Sequence, residues 1–250
     1  MSYTYNISAT IVIYKSNRNL LQKTIDSYLN IPEKKKLYII DNNETDVLKK
    51  QFVHPEIEYI FVGKNIGFGS AHNLVLNKIN SNFHLILNPD VVFTTEVISK
   101  LIYKLNKSNK VCFVTPKVKY PNGEEQFVCR KHPTFLDLLN RKLKFSPSLI
   151  SKNQYQDKDL SKAFNPEFIH GCFMLFKTKD FIHLKGFDER YFLYLEDADI
   201  CRKIENLGKK ILYYPNVEII HYHSKQSAKK IKQFIIHIKS AFKYFLKWGF

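Results

Sequence analysis

Five acids crowd into the twelve residues 188–199: Asp188, Glu189, Glu196, Asp197 and Asp199. They lie among Phe187, Tyr191, Phe192, Leu193, Tyr194 and Leu195, in a chain whose net charge is +16. A solvated surface needs no such grouping. Carboxylates held against apolar walls have their charged form disfavoured, as a base working near neutral pH requires. Asp90 closes a different apolar run, Leu85-Ile-Leu-Asn-Pro-Asp90. A carboxylate at the end of a buried strand can hold a hard divalent cation bridging two phosphates, and Pro89 stiffens the turn that presents it. Asn-Pro-Asp is also good turn chemistry in its own right. Asp41-Asn42-Asn43 follows another apolar run, where Asp41 could accept hydrogen bonds from a base or ribose. His221 and His223 follow Val217-Glu-Ile-Ile220; on a strand, spacing of two puts both on one face, where one could complete a metal site. The combination points to metal-assisted group transfer.

The elements that must position these residues alternate in period. Ala9–Tyr14 is a short apolar, β-branched run of the kind buried on both faces of a sheet, and Leu37–Ile40, Ile57–Val62 and Phe83–Leu87 read as further strands. Between them, Leu20, Leu21, Thr24, Ile25 and Tyr28 recur at helical spacing, as do Ala71, Leu74, Val75 and Ile79. Alternating strands and helices predict a parallel α/β sheet, with ligands bound beyond the carboxyl ends of its strands. Tyr14, Asp41 and Asp90 all fall at such ends. Gly63-Lys-Asn-Ile-Gly-Phe-Gly-Ser70 follows the third strand and lacks a third glycine at dinucleotide spacing, so a nicotinamide site is rejected. Its glycines instead allow close backbone approach.

The second half is less regular. Val111–Lys119 predicts a strand entering a Tyr120-Pro-Asn-Gly123 turn, Phe168–Phe176 another strand, and Glu196–Leu207 a helix ended by Gly208. Residues 140–166, polar and weakly periodic, predict a loop or lid. At the C-terminus, Ile231, Phe234, Ile235, Ile238, Phe242 and Phe245 form one apolar stripe, flanked by Lys232, Lys239, Lys243 and Lys247. A Lys-rich amphipathic helix with Trp248 near its end predicts a helix lying on an anionic membrane surface. A helix docked on the domain's own core has the same periodicity.

Composition sets the outer bounds. With 250 residues and 44% hydrophobic content, one catalytic domain is expected. The 20 Phe and 15 Tyr argue for an ordered globule. The four cysteines (Cys112, Cys129, Cys172 and Cys201) show no CxxC spacing and read as packed, reduced thiols of a cytosolic protein. Neither a secretory leader nor an apolar run of about 20 residues is evident. The excess of lysine suggests an anionic membrane, phosphorylated substrates or nucleic acid. Nucleic acid is disfavoured, because the lysines are spread without the aromatic-basic clusters that base stacking uses.

Taken in order, Ile11-Val-Ile-Tyr14, Ile39-Ile-Asp-Asn42, Lys64-Asn-Ile-Gly-Phe-Gly-Ser-Ala-His-Asn73, Leu87-Asn-Pro-Asp90, Tyr120-Pro-Asn-Gly123, His170-Gly-Cys172, Gly186-Phe-Asp-Glu189 and Tyr194-Leu-Glu-Asp-Ala-Asp199, with the late His221, resemble the inverting family 2 glycosyltransferases, particularly their bacterial rhamnosyltransferase-like branch. The resemblance runs from about Ile11 to Ser227. It implies a GT-A fold, a Rossmann-like mixed-sheet sandwich, with a catalytic domain over 1–225 and a basic amphipathic C-terminal helix over 226–250. Residues 1–110 would form the nucleotide-binding half and 111–225 the acceptor-binding half. It implies Asp197 as general base, with Glu196 and Asp188 positioning the acceptor or supporting the loop. Asp90 and His221 would hold Mn2+ or Mg2+ on the donor diphosphate, Asn88 standing where the commoner motif has an acid. Tyr14, Asp41, Asn42, Asn65, Gly67, Asn73 and Asn88 would surround the nucleotide sugar.

The implied reaction moves a sugar from a nucleotide diphosphate, dTDP-L-rhamnose being favoured, to a hydroxyl of a lipid-linked or cell-surface glycan such as O-antigen or capsule. A UDP-hexose or UDP-N-acetylhexosamine donor is the alternative. Such an enzyme would sit peripherally on the cytoplasmic face of the plasma membrane, and its aromatic-rich termini could form a homodimer contact. Nucleotidyl transfer shares the sheet and the metal, but Ile13-Tyr-Lys-Ser-Asn-Arg18 does not supply its activating loop.

Overall fold

A computed structural model describes residues 3–143, 145–222 and 231–249. Its centre is an eight-stranded sheet in the order β3-β2-β1-β4-β9-β6-β10-β5. The first four of these in sequence are β1 (Tyr5–Ile13), β2 (Lys35–Asp41), β3 (Ile57–Phe61) and β4 (Ser81–Leu87). They pair in parallel, and Ile7, Ala9, Ile11 and Ile13 of β1 are fully buried. The connecting helices are α1 (Arg18–Leu29), capped by the Asn17 side chain on the Leu20 amide, and α2 (Phe68–Asn73). Helix α2 is shorter than the apolar spacing predicts. Its last residue, Asn73, clasps the Phe187 backbone, and the chain runs on to Ile79 in hydrogen-bonded turns.

Beyond β4 the sheet becomes mixed. The two-residue β5 (Val91–Val92) leads to α3 (Glu96–Asn106) and β6 (Val111–Lys119), and the predicted 120–123 turn closes with the Gly123 amide on the Tyr120 carbonyl. The predicted strand 168–176 is two pieces. β8 (Phe168–Ile169) pairs with β7 (Cys129–Arg130) in a separate two-stranded sheet, whereas β9 (Phe173–Lys177) enters the main sheet antiparallel to β4 and β6. After the short helix α6 (Thr178–His183) come α7 (Glu196–Asn206), β10 (Lys210–His221) and α8 (Ile231–Trp248). β10 runs parallel to β6 and antiparallel to β5. One sheet therefore passes through both sequence halves.

Part of the predicted 140–166 loop is helical. α4 (Phe135–Leu143) starts at a reciprocal cap in which the Asp137 amide donates to Thr134 Oγ1 and Asp137 Oδ2 accepts from the Thr134 amide. α5 (Pro147–Asn153) has proline in its first turn. His223 and Ser227 lie outside the described residues, as do Lys225, Lys229 and Lys230.

The C-terminal helix has two working faces. Ser240, Tyr244 and Phe245 are buried against the body, while Ile235, Ile238, Phe242 and Leu246 on the other side are 47, 50, 60 and 66% exposed. The helix therefore docks on its own domain, as one of the two expectations has it, and also carries an outward apolar stripe. Among the described residues, no helix is long and apolar enough to cross a membrane. All four cysteines are free and buried.

Candidate functional site

The carboxyl ends of the strands open into a cleft of about 700 Å3, whose lining includes Asn88, His170, Glu196, Asp197 and His221. The break between β8 and β9 brings His170 into it. There the Cys172 amide turns back onto the His170 carbonyl, and His170 Nδ1 reaches Asp197 Oδ2 at 3.2 Å.

Asp197 stands in the first turn of α7, where the helix dipole favours negative charge. Its Oδ2 also accepts from the Gly171 amide at 3.2 Å, and Oδ1 from the Ala198 amide at 2.9 Å. Burial raises its pKa, but His170 and the two amides outweigh that and hold it below the usual carboxylate range. The adjacent Glu196 behaves oppositely. Burial, then the Asp197 charge, drive its pKa well up, and Oε2 has no partner among the described residues. The two neighbouring carboxyls are thus pushed in opposite directions, Asp197 down and Glu196 up.

The backbone entering α7 is strained. Tyr194 and Leu195 are consecutive non-glycine residues with φ of 71° and 67°. Left-handed residues of this kind cost on the order of 1–3 kcal/mol each, and persist where their surroundings hold them. Both line the cleft.

Asp90 and His221 come from opposite ends of the chain. The antiparallel pairing of β5 with β10 sets His221 beside Val91 and leaves Asp90 Oδ1 3.3 Å from His221 Nε2. Gln126 donates Nε2–H to the His221 carbonyl at 2.7 Å, which aims its Oε1 at His221 Nδ1, 2.9 Å away. Nδ1 is then the donor, and Nε2 is the nitrogen turned toward Asp90. Burial works against charge on His221, but Cys172 and Asp90 outweigh it and push its pKa up to about 10. Among the described residues, no cluster of three His, Cys, Asp or Glu side chains forms a complete metal set. One carboxylate and one imidazole would fit a divalent cation only where that cation displaces the Nε2 proton that Asp90 otherwise holds, phosphate oxygens and water supplying the remaining ligands.

The other predicted residues divide into two groups. Asp41, Asn42, Asn65 and Gly67 meet beyond β2 and β3. Asp41 accepts the Asn43 amide and side chain on Oδ1 and the Tyr59 hydroxyl on Oδ2. Asn42 Nδ2 donates to Asn65 Oδ1 and to the Gly67 carbonyl. Gly67 has φ +94° and packs so close to the Phe192 carbonyl that no side chain fits. Tyr14 is partly exposed at the end of β1, outside the cleft lining. Asn73 and Asp188 also lie outside that lining, as do Asp41, Asn42, Asn65, Gly67 and Asp90; of the expected site residues it holds Asn88, Glu196, Asp197 and His221. Asn73 ties α2 to Phe187 and Glu189. Asp188 forms a bidentate pair with Arg190 and accepts from Lys247 of α8 at 2.8 Å; of its two expected roles, these contacts are those of loop support. Hydrogen bonds from Arg190, ahead of those from Lys247, hold its pKa well below the carboxylate range.

Sequence reasoning assigned no role to His170, although it quoted His170-Gly-Cys172, and did not reach Gln126. It also missed the part Asp199 plays. Asp199 faces away from the cleft, with Lys247 Nζ, Trp248 Nε1 and the Tyr191 hydroxyl all on its Oδ1.

Residues 8–185 match the model of glycosyl transferase family 2. Rhamnosyltransferase WbbL of Escherichia coli K12 is 26% identical over 245 residues, covering 94% of this chain and 90% of the relative. An N-acetylglucosaminyl-diphospho-decaprenol L-rhamnosyltransferase of Mycobacterium tuberculosis is 23% identical over 207 residues, 76% of this chain and 67% of that one. In structure, the chain resembles a mannosyltransferase of Pyrobaculum calidifontis solved with GDP-Man and Mn2+. The TM-score is 0.64 at 16% identity, over 96% of this chain and 65% of the other. The mixed sheet is accordingly a GT-A fold, and the chain is a rhamnosyltransferase-like member of glycosyl transferase family 2.

Proposed function

We propose that the chain transfers a sugar, with inversion, from a nucleotide diphosphate to a hydroxyl of a lipid-linked glycan. The observation that carries this reading is the cleft itself, with the Asp197 anion on one wall and His221, paired to Asp90, on the other. The acceptor hydroxyl gives its proton to Asp197 as its oxygen bonds to the anomeric carbon. The carbon–oxygen bond to the diphosphate breaks on the opposite face, and its electron pair leaves with the nucleotide. Asp90 and His221 would hold a divalent cation, Mn2+ or Mg2+, which when bound neutralises charge on the leaving diphosphate. Glu196, whose carboxyl burial pushes well up, would in its protonated form donate to a sugar oxygen at the same wall.

Asp41, Asn42, Asn65, Gly67 and Asn88 are assigned to the donor, and Tyr14 to the rim of its pocket. Asn73 supports the donor loop from behind. The favoured donor is dTDP-L-rhamnose, supported by the names of the rhamnosyltransferase relatives; a UDP-hexose or UDP-N-acetylhexosamine is the competitor. A lipid diphosphate acceptor is supported by the mycobacterial relative's name and by the outward apolar stripe of α8. That stripe would place the enzyme on the cytoplasmic membrane face. The test is incubation with polyprenyl-diphosphate glycans and each nucleotide sugar, with mass spectrometry of the lipid product and NMR of its anomeric configuration. Retention of configuration, or transfer only to water, would contradict the proposal.

A further inference from the structure

The loop 190–195 delivers Glu196 and Asp197 to the cleft, and α8 grips it along its whole length. Ser240 Oγ donates to the Leu193 carbonyl at 2.7 Å, and Lys243 Nζ donates to the Arg190 carbonyl. The His237 ring lies 5.3 Å from that of Tyr194, the first left-handed residue, and both line the cleft. One turn further on, Lys247 Nζ and Trp248 Nε1 reach Asp199 Oδ1 at 2.7 and 2.8 Å, and Tyr244 accepts from Arg202 Nε at 3.2 Å. Positions 237, 240, 244, 247 and 248 share one helical face. On the loop's other side, the Phe192 carbonyl accepts the Phe68 amide and closes over Gly67. The strained pair is thus held between α8 and the glycine turn at the donor end of the sheet.

We propose that α8 is a working part of the catalytic site, a clamp that keeps the 190–195 loop and the first turn of α7 in the geometry that presents Asp197. This rests on Asp197 being the base. Ser240, Lys247 and Trp248 are positioning residues in it, acting through Leu193 and Asp199. The clamp face is opposite the apolar stripe of Ile235, Ile238, Phe242 and Leu246, so the helix can meet a bilayer without letting go of the loop. A membrane tether alone would require none of the polar anchors. A helix that merely fills the core would not concentrate them on one loop and one carboxylate.

The test uses the full chain and a water-soluble acceptor analogue without membranes. Misplacing a reacting group by about 1 Å costs up to about 100-fold, so K247M/W248F should lower kcat about tenfold or more, with donor KM within about threefold. K247R should restore most of that loss. S240A, which removes one hydroxyl from the Leu193 carbonyl and leaves no buried charge behind, should lower kcat several-fold with Tm nearly unchanged, and it carries the test if the double variant unfolds. Wild-type kcat in K247M/W248F, or in S240A where the double variant unfolds, would overturn the proposal, as would a loss seen only with membrane-embedded acceptor. Full activity in D197N would instead defeat the base assignment on which the clamp depends.

Discussion

At the level of single residues, Glu196 and Asp197 show how two adjacent carboxyls are shifted in opposite directions. Asp197 takes hydrogen bonds from His170 and two backbone amides, whereas Glu196 is buried beside the charge so created. Asp197→Asn is expected to lower kcat by at least about 100-fold while nucleotide binding, followed by calorimetry, stays within about threefold. Loss of binding would show that Asp197 holds the donor instead. Gln126→Leu removes the partner that fixes His221, and its predicted effect is an affinity for Mn2+ weaker by about 10- to 100-fold, read by metal titration in the presence of nucleotide. Unchanged metal affinity would show that Gln126 does not orient a ligand. Asp197, Asp90 and His221 were legible in the sequence because each sits in an unusual local pattern: acids among aromatics, an acid closing a strand, and a histidine after an apolar run. His170 and Gln126 were not. A lone His or Gln has no local signature, and their partners lie 27 and 95 positions away.

Elements were legible in proportion to how much of their burial is local. Runs such as Ile11-Val-Ile-Tyr14 mark strands covered on both sides, and β1 to β4 fall where those runs do. α4 and α5 escaped, although Thr134-x-x-Asp137 and Ser146-Pro147 are start signals, because they are only 9 and 7 residues long and leave Phe135, Leu136 and Leu149 exposed. One glycine and two histidines give tests at this scale. Gly67→Ala sets a methyl against the Phe192 carbonyl at positive φ, and should destabilise by about 1–3 kcal/mol in chemical denaturation. An unchanged midpoint would mean the donor loop yields freely. Burial holds His72 well below the ordinary value of 6.5 and takes His84 down to about 3. Both are therefore neutral when folded, and the unfolded chain takes up protons first as pH falls. Stability is fully present above pH 6.5 and declines below it, by up to about 1.4 kcal/mol per pH unit for each group. His72 packs against Phe68 and Phe187 with both ring nitrogens unpartnered among the described residues. His72→Leu is expected to raise Tm and to flatten its decline between pH 6.5 and 5; an unaltered slope would place the linkage elsewhere.

For the molecule as a whole, charge and apolar surface converge on α8. The net charge of +16 and the exposed Ile238 and Phe242 stripe suit an anionic bilayer, while the opposite face binds the loop that leads into Asp197, the proposed base. Ile238→Glu with Phe242→Glu should reduce partitioning onto anionic vesicles while leaving turnover of a soluble acceptor intact. Equal partitioning would remove the membrane role from this helix. The sequence left open whether α8 meets lipid or its own domain, because an apolar stripe has one periodicity whichever surface covers it. The anchors that decide the question, Asp188 and Asp199, lie about 50 positions earlier in the chain.

The most direct measurement is a thermal-shift panel of Mn2+ or Mg2+ with dTDP, UDP, GDP and CMP, run on the wild type and on Asp90→Asn. A ligand at 100 times its Kd stabilises the folded state by about 2.7 kcal/mol, or roughly 5–10 °C for a chain of this size. The predicted result is a metal-dependent rise with dTDP or UDP that Asp90→Asn abolishes. No rise with any nucleoside diphosphate, or a rise indifferent to both metal and Asp90, would contradict transfer from a metal-held nucleotide sugar.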